Sequence, residues 1–159
     1  MSKLSHVDAS NHPTMVDVGD KVVTTRTARA RAIVVFPDDA APARDTELRT
    51  KKGPVFDTAI VAGVMAVKRT HDLIPFCHPM PVDGCEISIE WGAAGEVEIE
   101  CRVRVTHKTG VEMEALTGAA IAALTIYDMC KALTHGIAIR EVVLLEKTGG
   151  KRDYSLEAK

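Results

Sequence analysis

Two stretches of the chain alternate strictly between apolar and charged or polar residues. Cys85, Ile87, Ile89 and Trp91 are interleaved with Glu86, Ser88 and Glu90. Beyond Gly92-Ala93-Ala94-Gly95, the residues Val97, Ile99, Cys101, Val103 and Val105 are interleaved with Glu98, Glu100, Arg102 and Arg104. A period of two with one charged face predicts an antiparallel hairpin that lies on a core by its apolar side. Thr24 to Phe36 carries the same period, with Arg29 and Arg31 on one side and Ala28, Ala30 and Ala32 on the other, so it predicts a strand with one wet face.

Two stretches have the other period. From Val55 to about Arg69, Ile60, Val64 and Val67 recur at helical spacing, Ala59, Ala62, Gly63 and Ala66 permit close approach, and Lys68 and Arg69 suit the C-terminal carbonyls. From Val111 or Met113 to Leu133 a longer helix is expected, closed by His135-Gly136 and apolar on nearly every side. Such a helix needs a second layer beyond its own sheet, for which another subunit is the expected source. Prolines 75, 79 and 81 make Pro75-Phe76-Cys77-His78-Pro79 a rigid loop. Residues 137–145 read as a last strand, Lys147-Thr148-Gly149-Gly150-Lys151 as a loop, and the segment between Pro37 and Pro42 as a break followed by a helical turn near 44–48.

Strand, helix, hairpin, helix, strand is the order of an α+β, ferredoxin-like split β-α-β fold, in which helices pack on one face of a four-stranded antiparallel sheet. An irregular two-layer α+β fold with extra N-terminal strands is the main alternative. Residues 1–21 are expected to be an N-terminal arm, in which Met15-Val16-Asp17-Val18 forms a short edge strand or a lid. Residues 22–159 are expected to be a single catalytic domain with a short polar tail.

Composition narrows the function classes. The chain has 159 residues, 46% apolar and 26% charged, with a formal charge of -2, which suits one packed domain and argues against disorder or a nucleic-acid-coating surface. Cysteines 77, 85, 101 and 130 have no CxxC spacing; Cys85, Cys101 and Cys130 read as ordinary buried thiols of a protein in the reducing cytoplasm. No segment reads as membrane-spanning, because Asp128 and Lys131 interrupt the apolar run 118–133.

That interruption is the first candidate for chemistry. Asp128 and Lys131, three residues apart on a helix, are neighbours, and ionic groups in apolar surroundings are costly unless paired or used. A structural ion pair and an acid-base pair both fit. Glu112 and Glu114 flank Met113 at the helix entry, where carboxylates either cap free N–H groups or face a pocket. His78 sits on the rigid loop, and Cys77-His78 alone does not complete a zinc set. Lys51 and Lys52 precede the first helix, and Lys147 and Lys151 bracket a double glycine. These lysines read equally as a solvated cluster and as a polyphosphate site; neither a Walker A nor a Rossmann fingerprint is present.

Three blocks carry a resemblance. They are Lys68-Arg69-Thr70-His71-Asp72-Leu73-Ile74-Pro75-Phe76-Cys77-His78-Pro79, Lys108-Thr109-Gly110-Val111-Glu112-Met113-Glu114-Ala115-Leu116-Thr117, and Ala123-Leu124-Thr125-Ile126-Tyr127-Asp128-Met129-Cys130-Lys131. With Met15-Val16-Asp17-Val18, Lys52-Gly53 and the Lys147 to Lys151 run, the chain closely resembles the cyclic pyranopterin monophosphate synthases of molybdenum cofactor biosynthesis. His71 and His107 depart locally from that pattern without removing a motif residue.

The resemblance implies a ferredoxin-like subunit in a homohexamer built as a trimer of dimers, with interfacial active sites. It implies a lyase that converts 3′,8-cyclised 7,8-dihydro-GTP to cyclic pyranopterin monophosphate and pyrophosphate. Asp128 and Lys131 would be acid-base residues assisted by Lys52. Phe76, Cys77, His78, Met113 and Glu114 would bind the purine-derived end, Glu112 would orient a lysine, and Lys147 and Lys151 would serve the phosphates or proton transfer. No tightly bound cofactor and no dedicated metal site are expected, although magnesium can accompany the triphosphate; neither nucleic acid nor membrane is an expected partner. The competing reading is a non-catalytic nucleotide or phosphate sensor.

Overall fold

The structure, a computed structural model, describes residues 7, 8, 10, 12–43, 48–93 and 95–156. The helical turn expected near 44–48 falls largely outside the described residues. The elements are β1 (Thr24–Val35), a 3-10 turn (Asp38–Ala40), β2 (Arg49–Thr50), β3 (Gly53–Pro54), α1 (Val55–Lys68), α2 (Thr70–Leu73), β4 (Gly84–Trp91), β5 (Glu96–His107), α3 (Glu112–Cys130), β6 (Ala138–Thr148) and β7 (Tyr154–Ser155).

Five strands form one sheet in the order β4-β5-β1-β6-β7, and every pairing is antiparallel. The expected alternation appears as two faces. Ala28, Ala30, Ala32 and Val34 of β1 and Val97, Ile99, Cys101, Val103 and Val105 of β5 are buried under the helices. The opposite face carries charge. Arg29 Nη1 contacts Glu100 at 2.8 Å and Arg31 Nη2 contacts Glu141 at 2.6 Å, so the basic side of β1 is matched by carboxylates on both flanking strands.

The sheet differs from the four-stranded expectation at its β6 edge. The chain turns back after β6 and adds the two residues of β7, which pair with Glu146 and Lys147. β6 also runs to Thr148 rather than ending at residue 145, so Lys147 lies on a strand and not in a loop. Two register shifts in the β1–β6 ladder, between Arg29 and Ala30 and between Ile33 and Val34, interrupt the alternation that would have marked the extension. At the turn, Gly149 has φ 78°, and a Cβ there would collide with the Thr25 carbonyl oxygen, so glycine is required twice over.

α3 packs against β1, β5 and β6 and, through its other small-residue face, against α1. A Cβ at Gly63 of α1 would stand 2.9 Å from the Gly118 carbonyl oxygen of α3, and one at Gly118 would stand 2.7 Å from Val67 Cγ2 of α1. The helices approach this closely because both positions lack a side chain. α1 therefore covers, within the same chain, much of the α3 circumference expected to need another subunit. By length and composition alone α3 could cross a membrane, yet Ala115, Ala119, Ala122, Ala123 and Ile126 are completely buried in this core.

Candidate active site

The site residues are divided between the two ends of α3. At its N-terminal end a cavity of about 660 Å³ is lined by Phe76, Cys77 and His78 from the loop after α2, by Glu112, Met113 and Glu114 from the first turn of α3, and by Lys147 and Lys151 from β6 and the turn beyond it. All eight residues that the sequence suggests for substrate binding meet there. Val16, Val18 and Lys21 of the arm form another wall. The segment Met15-Val16-Asp17-Val18 is not a strand.

Most of the polar groups in this cavity already have partners. Lys147 Nζ donates to Glu112 Oε1 at 2.8 Å, which neutralises part of each charge. His78 Nε2 is 2.8 Å from the Val16 carbonyl oxygen. Burial pushes the Cys77 thiol up, and the Glu114 charge acts in the same direction. Arg26, also in the lining, belongs to none of the motif blocks. Its Nε donates to the His107 carbonyl oxygen at 3.0 Å, and its Nη atoms have no protein partner among the described residues. The signal was available: Arg26 shares the core-facing parity of Ala28 and Ala30, where a guanidinium must reach a cavity or a partner.

Glu114 is only 4% exposed. Burial pushes its carboxyl above the usual carboxylate range; backbone hydrogen bonding opposes this, the Glu112 charge adds to it, and His71 opposes it. With the folded value above the unfolded one, the fold loses stability as pH rises from the unfolded value through the folded value. Glu114→Gln is therefore expected to stabilise the protein at pH 7 by on the order of 1 kcal/mol. The gain should disappear near pH 4, where the carboxyl is largely protonated in both states. Paired thermal melts test this, and a variant less stable than the parent at pH 7 contradicts it.

At the other end of α3, Asp128 holds two lysines. Lys52 Nζ lies 2.7 Å from Asp128 Oδ2 and also donates to the Asp128 carbonyl oxygen at 2.9 Å, while Lys131 Nζ lies 2.7 Å from Oδ1. Lys52 comes from the turn of the small β2–β3 hairpin, and Lys131 caps α3. Beside them a second cavity of about 1020 Å³ is lined by residues 39–43, 48–52, Met129, Ala132 and Leu133.

The expectation that Asp128 and Lys131 sit in apolar surroundings is corrected here. Their side chains are 55% and 48% exposed. Leu124, Asp128 and Lys131 recur at helical spacing as an exposed stripe, so the ionic groups leave the core rather than interrupt it. Hydrogen bonds from Lys131 and then Lys52 hold the Asp128 carboxyl down at about 2, and the bond to Asp128 raises Lys131. In the isolated chain the two groups are thus pulled away from neutrality.

Along α3, the sixteen residue steps from Glu112 to Asp128 span roughly 24 Å at 1.5 Å per residue. Among the described residues, no group of three His, Cys, Asp or Glu side chains is arranged to hold a metal ion.

Fold and site together define an α+β protein with a cation-bearing cavity at one end of a core helix and a lysine–aspartate–lysine cluster at the other, an arrangement suited to an anionic ligand. The MoaC family model matches residues 15–150. The chain belongs to the MoaC family. It is 58% identical over 153 residues to the cyclic pyranopterin monophosphate synthase of Xanthomonas campestris pv. campestris (strain B100), covering 96% of this chain and 93% of that one. It is 49% identical over 153 residues to the enzyme of the same name from Methylobacterium sp. (strain 4-46), covering 95% and 94% of the two chains. A molybdenum cofactor biosynthesis bifunctional protein of Synechocystis sp. is 49% identical over 156 residues, covering 95% of this chain and 45% of its own length.

Proposed function

We infer that this chain is an enzyme of molybdenum cofactor biosynthesis that converts 3′,8-cyclo-7,8-dihydro-GTP to cyclic pyranopterin monophosphate and pyrophosphate. The observation that carries this reading is the convergence of Phe76, Cys77, His78, Met113, Glu114 and Lys147 on one cavity, in a chain similar over nearly its whole length to proteins of that name. The purine-derived end occupies the cavity near the Phe76–His78 loop. Arg26 and Lys151 supply charge for phosphate oxygens, the guanidinium through two parallel donors.

Closing the cyclic phosphate forms a bond from a substrate hydroxyl oxygen to the α-phosphorus and breaks the α–β phosphate linkage, with pyrophosphate leaving. The hydroxyl proton needs an acceptor, and the charge developing on the departing oxygens needs cations. Asp128, Lys52 and Lys131 meet both needs. A triphosphate that takes hydrogen bonds from the two lysines removes the donors that hold the Asp128 carboxyl near 2, so the carboxylate becomes more basic when substrate arrives. Magnesium, where it takes part, enters with the triphosphate.

A separation of roughly 24 Å along α3 is too long for one substrate to touch both groups of one chain. One substrate can therefore be served by both groups only where the Lys52–Asp128–Lys131 cluster of one protomer meets the cavity of another, in a cytoplasmic homohexamer arranged as a trimer of dimers. In this reading, β4, β5, β1 and β6 with α1 and α3 form a ferredoxin-like split β-α-β unit to which β7 is an addition. Incubating the purified chain with the cyclised intermediate and detecting cyclic pyranopterin monophosphate by mass spectrometry tests the function. Tight binding without product would favour the sensor reading instead.

A further inference from the structure

We propose that the N-terminal arm is a working wall of this site: the Val16 carbonyl fixes the His78 ring with its proton on Nε2, so that Nδ1 accepts a hydrogen bond from a ring N–H of the substrate. The inference rests on the cavity being the substrate site.

His78 lies in a stretch stiffened by two prolines and by the turn in which Cys77 N–H donates to the Ile74 carbonyl at 3.1 Å. Its Nε2 is 2.8 Å from the Val16 carbonyl oxygen. A carbonyl has no proton to give, so Nε2 is the donor, and the neutral ring is left with a bare acceptor at Nδ1. That nitrogen has no protein partner among the described residues and is not sealed from solvent.

The arm is tied on the far side of the cavity as well. Lys108 Nζ, just before α3, donates to the Gly19 carbonyl oxygen, and Gly19 N–H donates to Asp17 Oδ1 at 2.7 Å. Val16 and Val18 line the space between these ties.

The choice of Nδ1 follows from what the other groups can do. Lysine and arginine side chains only donate, and Glu112 is engaged by Lys147, so among the residues at the purine-derived end the side-chain acceptors left are the Glu114 carboxyl and His78 Nδ1. A purine-derived ring presents N–H donors that need acceptors. In its neutral form His78 supplies a directed one, and the arm decides which nitrogen plays that part.

Two substitutions separate the ring nitrogens. In His78→Asn the amide oxygen falls near the place of Nδ1, whereas in His78→Gln the amide reaches the place of Nε2 and keeps only the contact to the arm. We expect KM for the cyclised dihydro-GTP to rise no more than about threefold in the Asn variant and about tenfold or more in the Gln variant, the loss of one hydrogen bond. Equal losses, or the reverse order, overturn the inference. Unchanged KM in both also overturns it while leaving the proposed function standing, whereas a parent chain that makes no product sinks the function itself.

Nitrogen-15 spectra of the unaltered protein, recorded where the imidazole is neutral, test the tautomer without any variant. The expected result is a proton on Nε2 coupled through its hydrogen bond to the Val16 carbonyl carbon, with the Nδ1 resonance moving when cyclic pyranopterin monophosphate is added. A proton on Nδ1, or an Nδ1 signal indifferent to bound product, overturns the inference.

Discussion

Replacing Lys131 by alanine is expected to lower turnover of the cyclised dihydro-GTP by roughly 10²–10⁴-fold, the scale of a lost acid-base or charge-stabilising group. The melting temperature should hardly move, because the ammonium lies on the exposed stripe of α3 and its ion pair with Asp128 is about half exposed in the single chain. The same variant removes the first of the two donors that depress Asp128, so the carboxyl should titrate above its present value of about 2, which carbon-13 spectra of labelled aspartate can follow. Normal pyrophosphate release by correctly assembled Lys131→Ala protein would contradict the assignment.

The second large effect concerns the fold that holds the two groups. At Gly118 a Cβ would stand 2.6 Å from Cys101 Sγ and 2.7 Å from Val67 Cγ2, so the position is closed on both the sheet side and the α1 side. Gly118→Val should destabilise the chain by about 3 kcal/mol, the upper part of the usual range for overpacking a filled core. Gly118→Ala should lose less, since the gain of about 1 kcal/mol in helix propensity offsets part of the clash. For a chain of this size each kcal/mol corresponds to roughly 2–4 °C in Tm. Urea melts with an unchanged slope and a lowered midpoint are the expected result. An alanine variant more stable than the parent would mean that the helices part without cost.

Where side-chain period matches element length, the fold can be read directly. The β4–β5 hairpin, β1 and α1 each repeat their pattern over several turns or pleats, and the expected elements agree with the observed ones to within a few residues. Two-residue strands such as β2, β3 and β7 are too short to carry a period. The end of β6 was hidden by its register shifts, which is why Lys147 read as a loop residue. α3 looked apolar all round because alanine serves two buried faces at once, one toward the sheet and one toward α1; the narrow stripe through Leu124, Asp128 and Lys131 was left as the exposed side.

The candidate site was legible to a different depth. Motif resemblance singled out eight residues that line one cavity, although they come from three separated segments, but it passed over Arg26, whose only mark is its core-facing parity. Nor could spacing alone reveal that Asp128 is held by Lys52 as well as Lys131, since the β2–β3 hairpin that delivers Lys52 has no sequence period.

The proposed site is complete only when two chains meet, and trans-complementation tests that directly. Lys131→Ala and Lys147→Ala variants, each inactive alone, would be unfolded and reassembled together at equal amounts before pyrophosphate release is measured. If an interfacial site takes its Asp128 cluster from one chain and its cavity from the other, random pairing leaves one intact site in each mixed dimer, restoring about a quarter of the parent activity. Mixed assemblies as inactive as the separate variants would contradict the composite site.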